Sequence, residues 1–280
     1  MLDKTAKNII FVHAMSRSGQ HAVIDWIFNQ FENNKVFFNY MKILPDIDPY
    51  AIRSQYYFNQ EKYFHKLNEN WQKHGVLDEK LKEFKPETSE LWRSICEDEK
   101  NLVSMNFENI DFTSHEQELK SFTKKFIAEE KFSNVLVVRD IFNYIASKMK
   151  MGRYFHPETN LVCWKAHAYE YLGYTNTLRN RVPINFNAWV KDLDYRKGVA
   201  KNLHVDNFLP EWNEVSSFGG GSSFDGKYFH GNASSMDVLN RWREYVNDER
   251  FKSYLKNYKE LVELSEAIFG HIPGTEVFRK

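Results

Sequence analysis

A chain of 280 residues with 42 % apolar and 16 % aromatic side chains is long enough for one large α/β domain with a sizeable core. Lys plus Arg and Asp plus Glu both number 38, so the formal charge is zero, which argues against a general nucleic-acid binder and a polybasic membrane anchor. The two cysteines, Cys96 and Cys163, show neither metal-ligand spacing nor a disulfide framework, and no run approaches the ~18 apolar residues of a membrane span; buried free thiols and a cytoplasmic protein are expected.

The first structured stretch is KNIIFVHAMSRSGQHAVIDWIF, Lys7 to Phe28. Asn8 to His13 is a short apolar run that reads as a buried strand. Ala14 to Gly19 is small and polar and reads as a tight loop. Ala22, Val23, Trp26 and Ile27 then recur at helical spacing from His21 to Phe28. A strand, a Ser/Gly loop and a helix start form an anion site, because first-turn amides lack carbonyl partners and the helix dipole adds positive charge there. The loop is not G-x-x-x-x-G-K-[ST], since Gln20 and His21 follow Gly19 where Lys and Ser/Thr belong. An anion fits this loop, but not as a metal nucleotide; the plainer reading is an ordinary first β-α turn.

Lys35 to Asn39 reads as a second strand, and Pro45 and Pro49 mark a loop. Residues 52–100 are polar, charged and aromatic at helical spacing, with breaks at Gly75 and Pro86. They read as a helical insertion within a single domain spanning 1–280. A solvated cap, a lid or a dimer contact fits it, and Tyr56, Tyr57, Phe58, Tyr63 and Phe64 suit core or interface better than an acceptor pocket. Asn101 to Phe107 returns to strand character. Gln117 to Lys131 reads as a helix with Leu119, Phe122, Phe126 and Ile127 on one face. Asn134 to Val138 (NVLVV) is the clearest buried strand, running into Arg139, Asp140 and a helix Phe142 to Met151. Helices at Asn160 to Asn180 and Asp192 to Leu203 flank a strand Val182 to Phe186. Phe218 to Gly226 (FGGGSSFDG) is a Gly/Ser loop, and helices Met236 to Val246 and Arg250 to Phe269 end the pattern. Strands alternating with helices imply a mostly parallel sheet of about five strands covered on both faces, with ligands at the strands' carboxyl ends. That rule puts the Ser16–His21 loop and Arg139 on one rim.

Ser147 follows Arg139 by eight residues. From a helix starting near Ile141, its hydroxyl leans back toward that rim. A guanidinium fork with a hydroxyl receives a phosphate monoester well; a surface Arg and a back-bonded helix Ser are the plain alternative.

Here the chain resembles the sulfotransferases that use 3′-phosphoadenosine 5′-phosphosulfate (PAPS). Their first motif, strand, [R/K]-S-G-[T/S/H] loop and helix, is matched by SRSGQH; their second, R-D-P-x-[ND] with a later Ser, by VVRDIFNYIAS, where Ile141 replaces the usual Pro. SGQHAVIDW, Ser18 to Trp26, is similar to the S-G-H-H-A-I-I-N-W of bacterial-type members, which also carry a Gly/Ser-rich segment before an R-W pair, as in GGGSSFDG and Asn240-Arg241-Trp242. The likeness spans residues 8 to 242 apart from the insertion. It implies a three-layer α/β/α, P-loop NTPase-like domain and in-line sulfuryl transfer to a hydroxyl or amine of a carbohydrate or small-molecule acceptor, without metal, releasing adenosine 3′,5′-bisphosphate.

Roles follow by resemblance. The amides of Ser18, Gly19, Gln20 and His21 and the hydroxyls of Ser16 and Ser18 hold the 5′-phosphosulfate, with Arg17 near the bridging oxygen. Arg139 and Ser147 grip the 3′-phosphate, and the loop Gly220 to Ser223 (Gly221, Ser222 and Ser223 foremost), with Lys227, folds over it. An attacking hydroxyl needs a base. Glu108, after NLVSMNF, fits; His21 is second, His13 reads as a core histidine, and His115 and Asp111 stay open. Trp189 and Trp212 suit core packing better than stacking on adenine. A P-loop-like small-molecule kinase and a non-catalytic nucleotide-binding relative are the rival readings; the acceptor and oligomeric state are not written in the chain.

Overall fold

The computed structural model describes residues 7–32, 34–41, 55–58, 61–64, 101–124, 132–152, 155–216 and 221–278. Its centre is a seven-stranded sheet of β1 (Ile9–Ala14), β2 (Lys35–Met41), β3 (Gln55–Phe58), β4 (Glu61–Phe64), β5 (Leu102–Glu108), β6 (Phe132–Val138) and β7 (Arg181–Asn185) in the order β4-β3-β2-β5-β1-β6-β7. Five strands, β2-β5-β1-β6-β7, are mutually parallel. The pair β3 and β4 extends the β2 edge antiparallel. This is an α/β fold with a mostly parallel sheet between two helical layers, and β1, in the middle of the five parallel strands, feeds a loop and a helix start.

The layers follow from the period-two alternation of side chains along β1. Ile9 and Phe11 face one core with helices α2 (Glu116–Lys124), α3 (Ile141–Met151), α4 (Pro157–Leu172), α7 (Glu249–Asn257) and α8 (Lys259–Phe269). Ile10, Val12 and Ala14 face the other with α1 (Gln20–Asn29), α5 (Phe186–Lys191) and α6 (Leu193–Asn202). Every residue of β1 and β6 is buried, which explains why these strands read as continuous apolar runs. Trp26, Trp164 and Trp189 are fully enclosed, and each large side chain so buried contributes about 1.5–3 kcal/mol.

Several boundaries differ from the sequence reading. Within the expected helical insertion 52–100, residues 55–58 and 61–64 are strands, rich in Tyr and Phe, the first paired to β2 and the second to the first. The rest of that segment, Cys96 included, lies outside the described residues, as do the side chains of Tyr56, Tyr57, Phe58, Tyr63 and Phe64. The helix expected over Met236 to Val246 shrinks to a 3₁₀ turn, Arg241–Tyr245. Side chains just after β6 and in α3 claim its backbone: Arg139 donates to Val238 O, Asn143 Nδ2 donates to Leu239 O at 2.8 Å, and Asn143 Oδ1 accepts from Trp242 N at 3.2 Å. The expected Arg250 to Phe269 helix breaks at Tyr258 into α7 and α8. The helix expected at Asn160 to Asn180 starts at Pro157 and stops at Gly173, whose left-handed conformation caps it. Helix α2 is described to Lys124, so Phe126 and Ile127 fall outside the described residues.

Candidate functional site

A cleft opens at the carboxyl ends of the parallel strands. Register brings its parts together. Ala14 at the end of β1 aligns with Glu108 on β5 and Val137 on β6, so the loop after β1, Glu108 and Arg139 emerge side by side. Phe186, just beyond β7, lines the cleft beside them.

The loop after β1 is held open by local geometry. Ser16 N and Ser16 Oγ donate to Asn109 Oδ1 at 2.9 and 3.1 Å, and Lys148 Nζ donates to Ser16 Oγ at 2.7 Å. Arg17 and Gly19 both take left-handed backbone, at φ 74° and 85°. Gly19 is required twice over, because a Cβ there would lie 2.4 Å from the Phe186 ring. Helix α1 starts at Gln20; Ala22 N and Val23 N donate to Gly19 O at 3.1 and 3.4 Å, so it is the amides of Gln20 and His21, ahead of that closure, that suit an anion. Ser18 differs from expectation. It is 1 % exposed, its amide closes a turn onto Met15 O at 3.0 Å, and its hydroxyl donates to Gln20 Oε1 at 3.0 Å. Both groups are used inside the loop, so Ser18 is a support and not a wall of the cleft.

Beside the loop stands Arg139, 2 % exposed. Its Nη1 lies 3.4 Å from Arg17 O, its other terminal nitrogen donates to Val238 O, and its Nε is buried without a partner. Among the described residues no carboxylate pairs with it. Asp140, next in sequence, instead accepts from Asn143 N at 2.8 Å and caps α3. Burial, then Arg241, pushes Arg139 down to about 9, against the nearby Asp140 charge and with Arg17 adding to the effect; it is still protonated at neutral pH. Arg241 donates to Asp225 Oδ2 at 2.7 Å and Ser222 Oγ at 2.8 Å, and Ser147 Oγ lies 3.1 Å from Ser223 Oγ. Three guanidinium groups, Arg17, Arg139 and Arg241, thus line one cleft with Ser147, Gly221, Ser222 and Ser223. Gly221, at φ 99°, also leaves no room for a Cβ, which would sit 2.6 Å from Gly226 O.

On the third side Glu108 Oε1 accepts from Gln20 Nε2 at 2.6 Å and Asn106 Nδ2 at 3.3 Å. Asn106 Nδ2 also donates to Asn39 Oδ1 at 3.0 Å, and His21 Nε2 lies 3.4 Å from that oxygen and 3.5 Å from Glu108 Oε1. Burial pushes Glu108 up to about 6, against the opposing hydrogen bonds of Gln20 and Asn106 and the charges of Lys148 and Arg17. It is therefore largely ionised at pH 7 and able to take a proton. Burial pushes His21 down to about 4, so its imidazole is neutral and its contact with Glu108 is not an ion pair.

Of the expected residues, Ser16, Arg17, Gly19, Gln20, His21, Glu108, Arg139, Ser147, Gly221, Ser222 and Ser223 all line this cleft. His13 does not. It is fully buried, 2.9 Å from Asn134 Oδ1, and stacks on Phe107. Asp111 is taken up by Thr113 N and Ser114 Oγ, and His115 turns onto Asp111 O, away from the cleft. Trp189 is core, whereas Trp212 reaches the wall. Lys227 is exposed, and Gly220 lies outside the described residues. Sequence reasoning missed Lys148, Asn39, Asn106 and Phe186 and assigned Arg241 no role. Asn39 and Asn106 are buried polar residues in strands, a pattern that asks for a partner. Among the described residues no cluster of His, Cys, Asp and Glu is arranged for a metal ion, and no helix is long and apolar enough to cross a membrane.

No family model matches the chain, and no curated protein does. Among solved structures it aligns with the sulfotransferase domain from the Synechococcus PCC 7002 olefin synthase over 95 % of this chain and 96 % of that one, at 12 % identity and a TM-score of 0.46. At that identity and score the likeness carries no weight, and the chemistry of the cleft stands on its own residues.

Proposed function

We propose that this chain is a PAPS-dependent sulfotransferase that moves a sulfuryl group to a hydroxyl or amine of a small-molecule or glycan acceptor. The observation that carries this reading is Arg139: a buried guanidinium without a carboxylate partner, weakened by two further arginines across one cleft. Such a cluster is stabilised by a ligand with two separate anionic ends. The first turn of α1 with Arg17 takes the phosphosulfate end. Arg139, with the Ser147 and Ser223 hydroxyls, takes the 3′-phosphate, and Trp212 and Phe186 offer apolar faces between them.

In the transfer the acceptor oxygen attacks sulfur as the bond from sulfur to the bridging oxygen breaks. The electron pair leaves with adenosine 3′,5′-bisphosphate, and the acceptor proton passes to Glu108. Arg17 stabilises charge growing on the leaving oxygen; most of the rate comes from positioning and fixed charge.

The decisive experiment compares melting temperatures with adenosine 3′,5′-bisphosphate, ADP with magnesium, and AMP, since a ligand at 100 Kd adds about 2.7 kcal/mol to the native state. The 3′-phosphorylated nucleotide is expected to give the largest shift, followed by transfer of labelled sulfate from PAPS in an acceptor screen. A larger shift with magnesium ADP would overturn the reading.

A further inference from the structure

The two oxygens of Glu108 have unlike surroundings. Oε1 receives Gln20 Nε2 at 2.6 Å and Asn106 Nδ2 at 3.3 Å and lies 3.5 Å from His21 Nε2. All three contacts fall on that one atom. Oε2 has no hydrogen-bond partner among the described residues, while Glu108 itself lines the cleft. The shortest of the three contacts comes from Gln20, 2 % exposed, the first residue of α1. Its amide cannot turn over without loss. Gln20 Oε1 already accepts from Ser18 Oγ at 3.0 Å, and a carboxylate accepts only from the NH2 end. A buried polar chain therefore runs from Ser18 in the loop, through Gln20, to Glu108 at the end of β5.

We infer that the Gln20 side chain is a positioning residue for the transfer reaction: it pins Glu108 Oε1 to the anion-binding loop, so that Oε2 is the atom that takes the acceptor proton. This rests on the sulfuryl-transfer reading. It adds a second role to a residue whose main-chain amide alone was assigned to the ligand. It also makes the base part of the loop: the residue that begins the anion site orients the carboxylate. Proton balance is unchanged, with the acceptor hydrogen moving to Oε2 while the sulfur–oxygen bond to the leaving nucleotide breaks. The charged and titratable groups facing Glu108 are His21 on α1, Arg17 in the loop and Lys148 on α3. The hydrogen bond from Gln20 favours the ionised carboxylate, so its loss raises the pH at which Glu108 deprotonates.

The test uses two variants of the full chain. Gln20→Met removes both amide groups at similar volume, and Gln20→Glu keeps the shape but sets a second carboxyl against Glu108. The Glu108 carboxyl is titrated by carbon-13 NMR with labelled glutamate, assigned through Glu108→Gln, and the pH profile of kcat/KM is recorded beside it. Expected are a higher Glu108 midpoint in Gln20→Met, a higher one still in Gln20→Glu, and an acidic limb of the rate profile that follows both. In Gln20→Met kcat falls by about 10- to 100-fold, part of the ~10²–10⁴ that a positioned base supplies. Affinity for adenosine 3′,5′-bisphosphate stays within about threefold, because the main-chain amide survives the change. Wild-type midpoints and rate profiles in both variants would overturn the inference with the transfer reading intact. Shifted midpoints in a protein that transfers no sulfuryl group would sink the transfer reading and leave only the pinning of the carboxylate.

Discussion

The Arg139 guanidinium and the main-chain carbonyl of Arg17 stand 3.4 Å apart, so the end of β6 and the loop after β1 meet through a charged group at a neutral acceptor. A carbonyl does not neutralise a guanidinium, and the charge stays available to a ligand. Arg139→Ala is expected to weaken adenosine 3′,5′-bisphosphate binding by about 1.5–3 kcal/mol, the scale of a charge-assisted hydrogen bond. Arg139→Lys recovers little of this, since a point charge does not reproduce the fork. Titration calorimetry of both variants checks the size and the order.

Arg17 holds φ 74°, a conformation that costs a non-glycine residue about 1–2 kcal/mol. The side chain held on this backbone lines the cleft. Arg17→Ala is expected to lower kcat by roughly 10²–10³-fold with saturating donor, as for loss of a group that stabilises a developing oxyanion. Arg17→Gly should be equally slow yet more stable than Arg17→Ala by about 1 kcal/mol, since glycine accepts this backbone without strain. Equal denaturation midpoints for the two variants would contradict the strain, and unchanged turnover would contradict the role.

Gly19→Ala puts a methyl group 2.4 Å from the Phe186 ring at a left-handed position. Strain of about 1–2 kcal/mol joins an overpacking cost of about 1–3 kcal/mol, and the start of α1 moves away from the cleft. Both lower stability and weakened nucleotide binding are expected, read by urea denaturation and calorimetry on one preparation.

Acid sensitivity follows from buried histidines. Burial pushes His13 and His167 down from 6.5 to about 4 in the folded protein. Between those values the unfolded chain binds more protons, so their contribution is full above pH 6.5 and is lost as pH falls toward 4. Glu108 and Asp25, both pushed up to about 6 by burial, act in the opposite sense and favour the fold as pH falls through 6. His13→Asn should flatten the fall in denaturation midpoint between pH 6.5 and 4. An unchanged slope would show that His13 is not responsible.

The strands β1 and β6 were legible because burial on both faces leaves an unbroken apolar run; that Asp140 caps α3 came only with the structure. The loop Ser16–His21 was legible as the turn from β1 into α1, because small residues with one Gly stand between an apolar run and a helical period. The edge pair β3 and β4 was misread, since Tyr and Phe mixed with charge satisfy a helical period as easily as a strand's. The helix expected over Met236 to Val246 failed for another reason. Its backbone groups are taken by Arg139 and Asn143, about a hundred positions away in the chain, and no local pattern records a partner at that distance.

The amino-acid order alone determined the alternation of strand and helix, the glycine that the first loop needs, and the identity of the residues gathered at the strand ends, because each depends on neighbours a few positions away. Only the tertiary structure decided that Ser18 supports the loop from within, that Lys148 reaches Ser16, and that Gln20 turns its amide onto Glu108. Those facts are set by strand register and by which buried polar groups it brings within hydrogen-bond reach, and both are properties of the folded packing.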